Sequence, residues 1–259
     1  AVAGVNYQLS DEIKLNYNIG YASRNPAVNE LYSNGLHQGV SGIEEGDIDL
    51  QVEKSVKTTF SVEGRSSNQL FFEGLFFLQN IQDYIYLQPQ DEFRLTIRGA
   101  FPVFRYEQTN AQLYGTDWTA GYHILDNFQV NFKYSYLRGQ DVSNNMPLIG
   151  MPSNNLLATA NYQIVNVGRF ENVEIELNHQ SVFEQKNLLE EQDFVLPPET
   201  YHLLNTKISG QYPNTKSRLN LYLKIDNLLN TTYRDYLNRQ RYFADDLGRN
   251  ITIGGTWIF

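Results

Sequence analysis

The stretch LNLYLKID, residues 219–226, decides the fold class of this 259-residue chain. Leucine or isoleucine occupies every odd position from Leu219 to Ile225, whereas the even positions carry Asn, Tyr, Lys and Asp. Strict alternation is typical of a β-strand with one apolar and one polar face, because successive side chains point to opposite sides of a strand. The stretch therefore predicts a sheet with two chemically different faces.

The same alternation recurs along the whole chain. Residues 13–21, 128–136, 173–178 and 251–259 repeat it, with aromatic or aliphatic side chains on one parity. Counting such segments predicts an all-β chain of about eleven strands. We expect them near residues 1–9, 12–22, 48–63, 69–87, 104–123, 127–139, 155–165, 171–183, 201–212, 218–227 and 248–259.

The connections between these strands are sorted by length, since every second one is long. We expect the short ones at one rim, at 10–11, 65–68, 125–127, 166–169 and 213–217. We expect the long ones at the other rim, at 34–46, 90–102, 141–152, 185–198 and 235–246. A soluble sandwich or jelly roll has no reason to sort its loops, but an outer-membrane barrel has short periplasmic turns and long external loops. The pattern predicts a transmembrane antiparallel β-barrel.

Composition excludes several classes of function. The formal net charge of −9 argues against nucleic acid as a partner, because a phosphate-binding surface needs a basic face. The absence of cysteine excludes disulfides and thiolate metal sites, and we expect no cofactor. An odd number of strands would leave open edges that lipid does not tolerate. We therefore expect the barrel to need further strands beyond these residues.

The stretch RNPAVNELYSNGLHQG, residues 24–39, interrupts the strand pattern. It predicts a short helix over 25–35, with Asn25 as its N-cap, Pro26 in its first turn and Gly35 at its end. We expect Leu31 and Tyr32 to pack against the inside of the barrel mouth. Arg24 and Glu30 are expected to form a structural ion pair.

Three stretches carry a family resemblance: 24–55, 78–118 and 225–259, the last of which contains IDNLLNTTYRDYL and ends in GRNITIGGTWIF. In order and spacing they resemble the carboxyl-terminal half of the TonB-dependent outer-membrane receptors. The resemblance implies that 1–259 is one partial domain of a 22-stranded barrel whose plug lies outside this chain. It also implies TonB, the plug and the remaining half of the barrel as partners, and the bacterial outer membrane as the location.

Within that family, Glu30, Leu31, Tyr32, Gly35 and His37 resemble a block found in zinc and haem receptors and in many siderophore receptors. The resemblance implies energised import of a scarce ligand, namely an iron chelate (siderophore or haem) or zinc. Two alternatives are a passive pore or adhesin barrel without a plug, and an outer-membrane hydrolase that uses His37 or His202. Membrane lipid and lipopolysaccharide are further expected partners.

Candidate site residues lie on the predicted external loops. His37, Glu44, Glu45 and Asp47 combine imidazole with carboxylates, which is a suitable ligand set for a first-row metal, although the acids are equally compatible with a solvated loop. Arginines could bind an anionic chelate, and aromatic rings could stack on it, unless they serve ion pairs and loop packing instead. The ligand-binding candidates are His37, Tyr32, Arg98, Arg105 and Tyr242.

Overall fold

A computed structural model describes residues 1–66, 69–214 and 217–259. The helix α1 spans Val28–Tyr32, and short 3₁₀ turns span Gln38–Val40, Glu190–Gln192 and Arg239–Tyr242. Within the described residues, no helix is long and apolar enough to cross a membrane. The strands are β1 Val2–Gln8, β2 Ile13–Arg24, β3 Asn34–His37, β4 Gly42–Glu45, β5 Glu53–Ser66, β6 Leu70–Thr96, β7 Gly99–Leu125, β8 Phe128–Asp141, β9 Met146–Pro147, β10 Asn155–Val167, β11 Phe170–Val182, β12 Tyr201–Asn214, β13 Ser217–Asp226 and β14 Asn250–Ile258.

Eleven of these strands form one sheet in chain order, each antiparallel to the next. The order is β1-β2-β5-β6-β7-β8-β10-β11-β12-β13-β14. The short strands β3, β4 and β9 lie off this path, above the end of the sheet to which the long connections belong. The prediction of an all-β, antiparallel architecture with about eleven consecutive strands is confirmed.

The two faces of the sheet differ as the alternation predicts. Between β13 and β14, Leu223 pairs with Ile253 on one face and Lys224 pairs with Thr252 on the other. We call the apolar side the outer face. Across it, the ring of Phe76 lies 6.4 Å from that of Phe60 and meets Trp118 edge to face at 5.3 Å. A band of aromatic rings on the outer face is typical of the lipid-facing wall of a barrel.

Gly74 shows how tightly this aromatic band packs. Gly74 pairs with Trp118 across β6 and β7, and a Cβ atom at position 74 would lie 2.6 Å from the indole ring. That distance is shorter than any real Cβ contact, so glycine is the residue that lets the indole lie flat over the strand.

The connections occupy the two ends of the sheet in the predicted order. Short turns join β1 to β2, β7 to β8 and β10 to β11 at one end. At the other end, longer segments join β2 to β5, β8 to β10, β11 to β12 and β13 to β14. Two of the predicted short turns, 65–68 and 213–217, include residues 67–68 and 215–216, which lie outside the described residues.

The predicted loop at 90–102 is wrong. β6 continues to Thr96 and β7 begins at Gly99, so only residues 97 and 98 join the two strands. Pro89 and Pro102 make this hairpin hard to predict from the sequence, because proline is unusual inside paired strands. The ladder accommodates them at a register shift between Pro89 and Phe93, where no backbone N–H is required.

The long connections fold over the polar side of the sheet, which we call the inner face. Leu148 and Met151, from the segment between β8 and β10, pack on Ile81 and Ala111 of the inner face, and all four are buried. Together with the residues from 25 to 52, 183 to 200 and 227 to 249 and the β6–β7 tip, this segment forms what we call the mouth. Many of the buried side chains among the described residues lie in the mouth, for example Ile43, Leu148, Tyr236 and Arg241.

Candidate ligand site at the mouth

The helix α1 is anchored at its start by a network of charged side chains. The Glu30 carboxylate accepts a hydrogen bond from the Ala27 N–H at 2.6 Å and pairs with Arg24 at 2.8 Å. Arg24 also pairs with Glu53 at 2.5 Å. The predicted Arg24–Glu30 ion pair is therefore present, and it fixes the entry to the helix.

The limits of α1 differ from the prediction. Ala27 rather than Asn25 is the N-cap, so Pro26 precedes the helix instead of lying in its first turn. Gly35 lies beyond the helix, in β3, with φ +146°, a region that favours glycine. The helix begins later than predicted because the Arg24–Glu53 pair extends the β2–β5 ladder to the residue before Asn25.

Leu31 and Tyr32 do not form the expected inward-facing pair. Leu31 is half-buried, but the Tyr32 ring is 67% exposed. The chain instead packs its own backbone against α1, since the Gly46 N–H donates to the Ser33 carbonyl at 2.6 Å and the Asp47 N–H donates to the Glu30 carbonyl at 2.9 Å. The helix braces the following β3–β4 hairpin.

The four predicted metal ligands are not brought together. Glu44 and Glu45 are adjacent in β4, so their side chains leave opposite sides of the strand. Glu44 is buried, pairs with Arg239 at 2.8 Å and lies 3.3 Å from the His37 imidazole, whereas Asp47 accepts a bond from the Asp49 N–H. Across the described ranges, no group of three or more His, Cys, Asp or Glu side chains is placed to hold a metal ion.

Glu45 joins β4 to the β6–β7 hairpin. Its two oxygens accept from Arg105 at 2.9 Å and from Arg94 at 2.8 Å, and these hydrogen bonds, that of Arg105 first, lower the pKa of the Glu45 carboxyl below its ordinary value. Arg105 is thus part of an ion-pair clamp. Arg98, another predicted ligand residue, is exposed at the hairpin tip.

The centre of the mouth is a buried arginine. The Arg241 guanidinium lies over the Tyr236 and Tyr242 rings, at 4.9 and 4.7 Å from their centroids. Its Nε donates to the Tyr236 carbonyl at 2.9 Å, and its Nη2 pairs with Asp193. Within the described part of the chain, its buried Nη1 has no hydrogen-bond partner.

Tyr242 completes this cluster and remains a neutral phenol. Its hydroxyl donates to Asp193 Oδ1 at 2.6 Å, and burial, followed by the hydrogen bond to that carboxylate, raises the Tyr242 pKa above its ordinary value. Burial likewise raises the pKa of Tyr236. The Tyr236 phenol can therefore donate a hydrogen bond at neutral pH, whereas the Tyr242 proton is already donated to Asp193.

The ring of Phe194, next to Asp193, packs against three other aromatic rings of the mouth. Its ring meets those of Phe93, Phe104 and Tyr242 edge to face at 5.2, 5.4 and 5.6 Å. Edge-to-face pairs add to the free energy of apolar burial. One short segment, Asp193–Phe194, thus joins the last connection of the chain to the β6–β7 hairpin.

These residues enclose a pocket of about 280 Å³. The phenol rings of Tyr84 and Tyr86, on β6, are parallel at 6.2 Å and form one wall, and Arg239 stacks on Phe104 at 5.1 Å in another. The pocket is lined mainly by Tyr84, Tyr86, Phe104, Tyr236, Tyr242, Arg239 and Arg241. Its chemistry combines aromatic faces with two arginines, which pair with Glu44 and Asp193, and the Asp193 carboxylate also lines the pocket.

Of the predicted ligand residues, Tyr242 lines this pocket, whereas Tyr32, His37, Arg98 and Arg105 do not. Tyr84, Tyr86 and Asp193 were not predicted. The YIY sequence at 84–86 carries a signal for the first two, because it places two phenols on one face of a strand. Asp193 carries no local signal, since its partners are 48 and 49 residues away.

Two other features of the described chain are less suited to hold a ligand of this kind. A larger cavity, of about 480 Å³, lies along the inner face of β11, β12 and β13 and is lined mostly by polar wall side chains such as Glu174, Lys207 and Asn220. Of the two histidines considered for hydrolysis, His202 contacts Ser181 at 2.9 Å and stacks on His179, and no carboxylate among the described residues bonds to it.

Comparison with known proteins matches the described geometry to one family and one fold. Residues 2–228 match the family model described as "TonB dependent receptor-like, beta-barrel". Among solved structures, the copper transporter OprC is 18% identical with a TM-score of 0.72, and the FrpB iron transporter from Neisseria meningitidis is 16% identical with a TM-score of 0.69. The siderophore receptor PirA from Acinetobacter baumannii is 14% identical with a TM-score of 0.67.

Each of these comparisons covers 99% of this chain. The matched region covers only 38%, 38% and 40% of the three known chains, so this chain spans about two fifths of their length. At such low identity the likeness concerns the fold.

Proposed function

The chain belongs to the TonB-dependent receptor-like β-barrel family, and we propose that it forms part of the wall and the external mouth of an outer-membrane import receptor. The family and the similar structures are receptors and transporters, not enzymes. The apolar outer face and the sorted connections support a barrel wall that crosses a lipid bilayer. In this proposal the mouth faces the cell exterior and the short turns face the periplasm.

The remaining partners follow from the same proposal. The whole of 1–259 contributes a single partial domain, and β1 and β14 pair with the other strands of the barrel. Within the described residues each of these strands has one paired edge only, which supports such closure. A plug within the barrel and the TonB complex, reached through parts of the protein other than 1–259, supply the energised step.

The pocket beneath Arg241 supports an anionic metal chelate as the imported ligand. Arginine and neutral phenols donate hydrogen bonds to carboxylate or phenolate oxygens, and parallel aromatic rings accept a flat conjugated group. The buried, unpaired Nη1 of Arg241 is the observation that carries this proposal, because such a donor gains most from a ligand acceptor. An iron chelate, either a siderophore or haem, matches this chemistry better than bare zinc.

Binding to the full-length receptor tests the proposal. Purified receptor is titrated with ferric catecholate, carboxylate and hydroxamate chelates, haem and Zn²⁺, in wild type and in two tyrosine variants. Tyr86→Ala removes a pocket wall, and Tyr32→Ala, at an exposed ring, is the matched control. We expect Tyr86→Ala to weaken binding of the preferred chelate by roughly tenfold, about 1.4 kcal/mol, with no change for Tyr32→Ala. The reverse order would contradict the pocket assignment.

A further inference from the structure

A second cavity lies on the outer face of the sheet, away from the mouth pocket. It is a groove of about 400 Å³ formed where β6 bulges, at Asp83, which has φ +57°. The β6–β7 register shifts between Ile81 and Tyr84, so the wall bends at this level. The bend opens a depression between β2, β5, β6 and β7.

The lower lip of the groove continues the apolar outer face. Tyr21 pairs with Val56 across β2 and β5, and the same face carries the Tyr17–Phe60 pair four residues further from the mouth. The upper lip is polar and consists of Asn80, Gln82 and Asn110. The groove therefore lies at the transition from the apolar band to the polar rim, which is the level of lipid headgroups on a barrel wall.

One cation distinguishes this transition. Lys54 lines the groove and shares the outer parity with Val56, and no residue that lines the groove is acidic. Its ammonium makes no ion pair or hydrogen bond with any residue that the structure describes. The other lysines of the described strands follow the inner, polar parity; they are Lys14, Lys57, Lys133, Lys207 and Lys224.

We propose that this groove binds a phosphorylated lipid of the surrounding membrane leaflet. The lipid phosphate pairs with the Lys54 ammonium, and an acyl chain lies along Val56 and Tyr21. Two observations support this occupant: the unpartnered cation in a groove without acids, and the continuity of the groove with the lipid-covered face. The inference rests on the proposed membrane location and is independent of the imported ligand.

Native mass spectrometry of the full-length receptor in neutral detergent tests this site. The probes are lipid A carrying two phosphates, the same lipid with its phosphates removed, and inorganic phosphate. Lys54→Gln is compared with Lys57→Gln, which alters the same strand on the opposite face, and with Lys54→Arg, which keeps the charge. Both lysines are exposed, and Lys57→Gln removes one contact on the inner face, that of the Lys57 ammonium with the Phe77 ring at 4.9 Å.

We expect wild type, Lys57→Gln and Lys54→Arg to bind the phosphorylated lipid equally, and Lys54→Gln to bind it about fivefold more weakly, the size of one lysine–phosphate attraction at a membrane surface. The site would be overturned if the dephosphorylated lipid bound as tightly as the phosphorylated one. It would also be overturned if Lys57→Gln lost as much affinity for the phosphorylated lipid as Lys54→Gln. Saturation by inorganic phosphate at the same concentration would overturn the lipid as occupant. If the lipid site were overturned in this way while the receptor still bound its chelate, the proposed import function would be unaffected.

Discussion

Asp193 and Arg241 form an ion pair in which each side chain is 3% exposed, although 48 residues separate them in the chain. The carboxylate also accepts from Tyr242, so one acidic side chain fastens the residues from 183 to 200 to the last connection. A buried pair of this kind contributes more to defining one arrangement of the loops than to net stability, because burying two charges costs free energy. The pocket owes its shape to this contact.

Removal of Asp193 should loosen the mouth. Asp193→Ala leaves the Arg241 charge buried without its partner, which typically costs about 3–5 kcal/mol. We expect faster hydrogen exchange over 183–200 and 235–246 in the full-length receptor. Glu184→Ala, in the same connection but in an exposed pair with Lys186, is the control and should leave exchange unchanged. Equal protection in wild type and Asp193→Ala would show that the pair does not hold the loops.

The clamp at Glu45 should open in acid. Arg105 and Arg94 lower the Glu45 pKa, so the clamp contributes stability at pH values above the ordinary carboxyl pKa and loses it as pH falls through the lowered value. A spin label on Ile97→Cys, at the hairpin tip, should become more mobile as the pH falls through the lowered Glu45 pKa than it is at neutral pH. In Glu45→Gln the label should be mobile throughout. A mobility that keeps the same pH dependence in Glu45→Gln would assign the transition to another group.

Arg24 should determine whether α1 forms. A helix of five residues is too short to be stable alone, so its order depends on the Glu30 and Glu53 ion pairs. We expect Arg24→Ala to make the chain at 25–35 sensitive to limited proteolysis while the barrel remains resistant to heat. Arg98→Ala, at the exposed hairpin tip, serves as the control. Resistance of 25–35 in Arg24→Ala would mean that backbone contacts alone hold the helix.

Topology can be tested by labelling, because the sequence has no cysteine of its own. Single cysteines at Ile97 and Leu247 lie at the mouth, whereas cysteines at Asp11 and Asp126 lie in the short turns. On intact cells we expect an impermeant maleimide to label the first two and not the second two. Labelling of all four positions to the same extent would contradict the proposed orientation.

Period-two alternation was sufficient to predict the sheet, because a wall with lipid on one side imposes it on every strand. It failed for β3 and β4, which are four residues long and lie off the main path, too short to show a period. It also failed at the β6–β7 tip, where charged residues and prolines continue a strand pairing that extends beyond the apolar band.

The site was predictable only where its signals are local. Arg24 and Glu30 are six residues apart and face each other at a helix start, so their pairing could be inferred. The four predicted metal ligands are split, because Glu44 and Glu45 are neighbours in a strand and such neighbours point to opposite sides. The partners of Glu44 and Asp193 come from the last connection, and the loop folding that brings them together leaves no trace in local sequence.

Energised uptake tests the central claim most directly. Cells that produce the full-length receptor are supplied with the preferred chelate, labelled with radioactive iron, at a concentration below its Kd, with and without a protonophore. We predict saturable uptake that stops when the proton-motive force is collapsed and that falls about tenfold in Tyr86→Ala but not in Tyr32→Ala. Uptake that continues unchanged without the proton-motive force, and equally in both variants, would instead describe a passive pore.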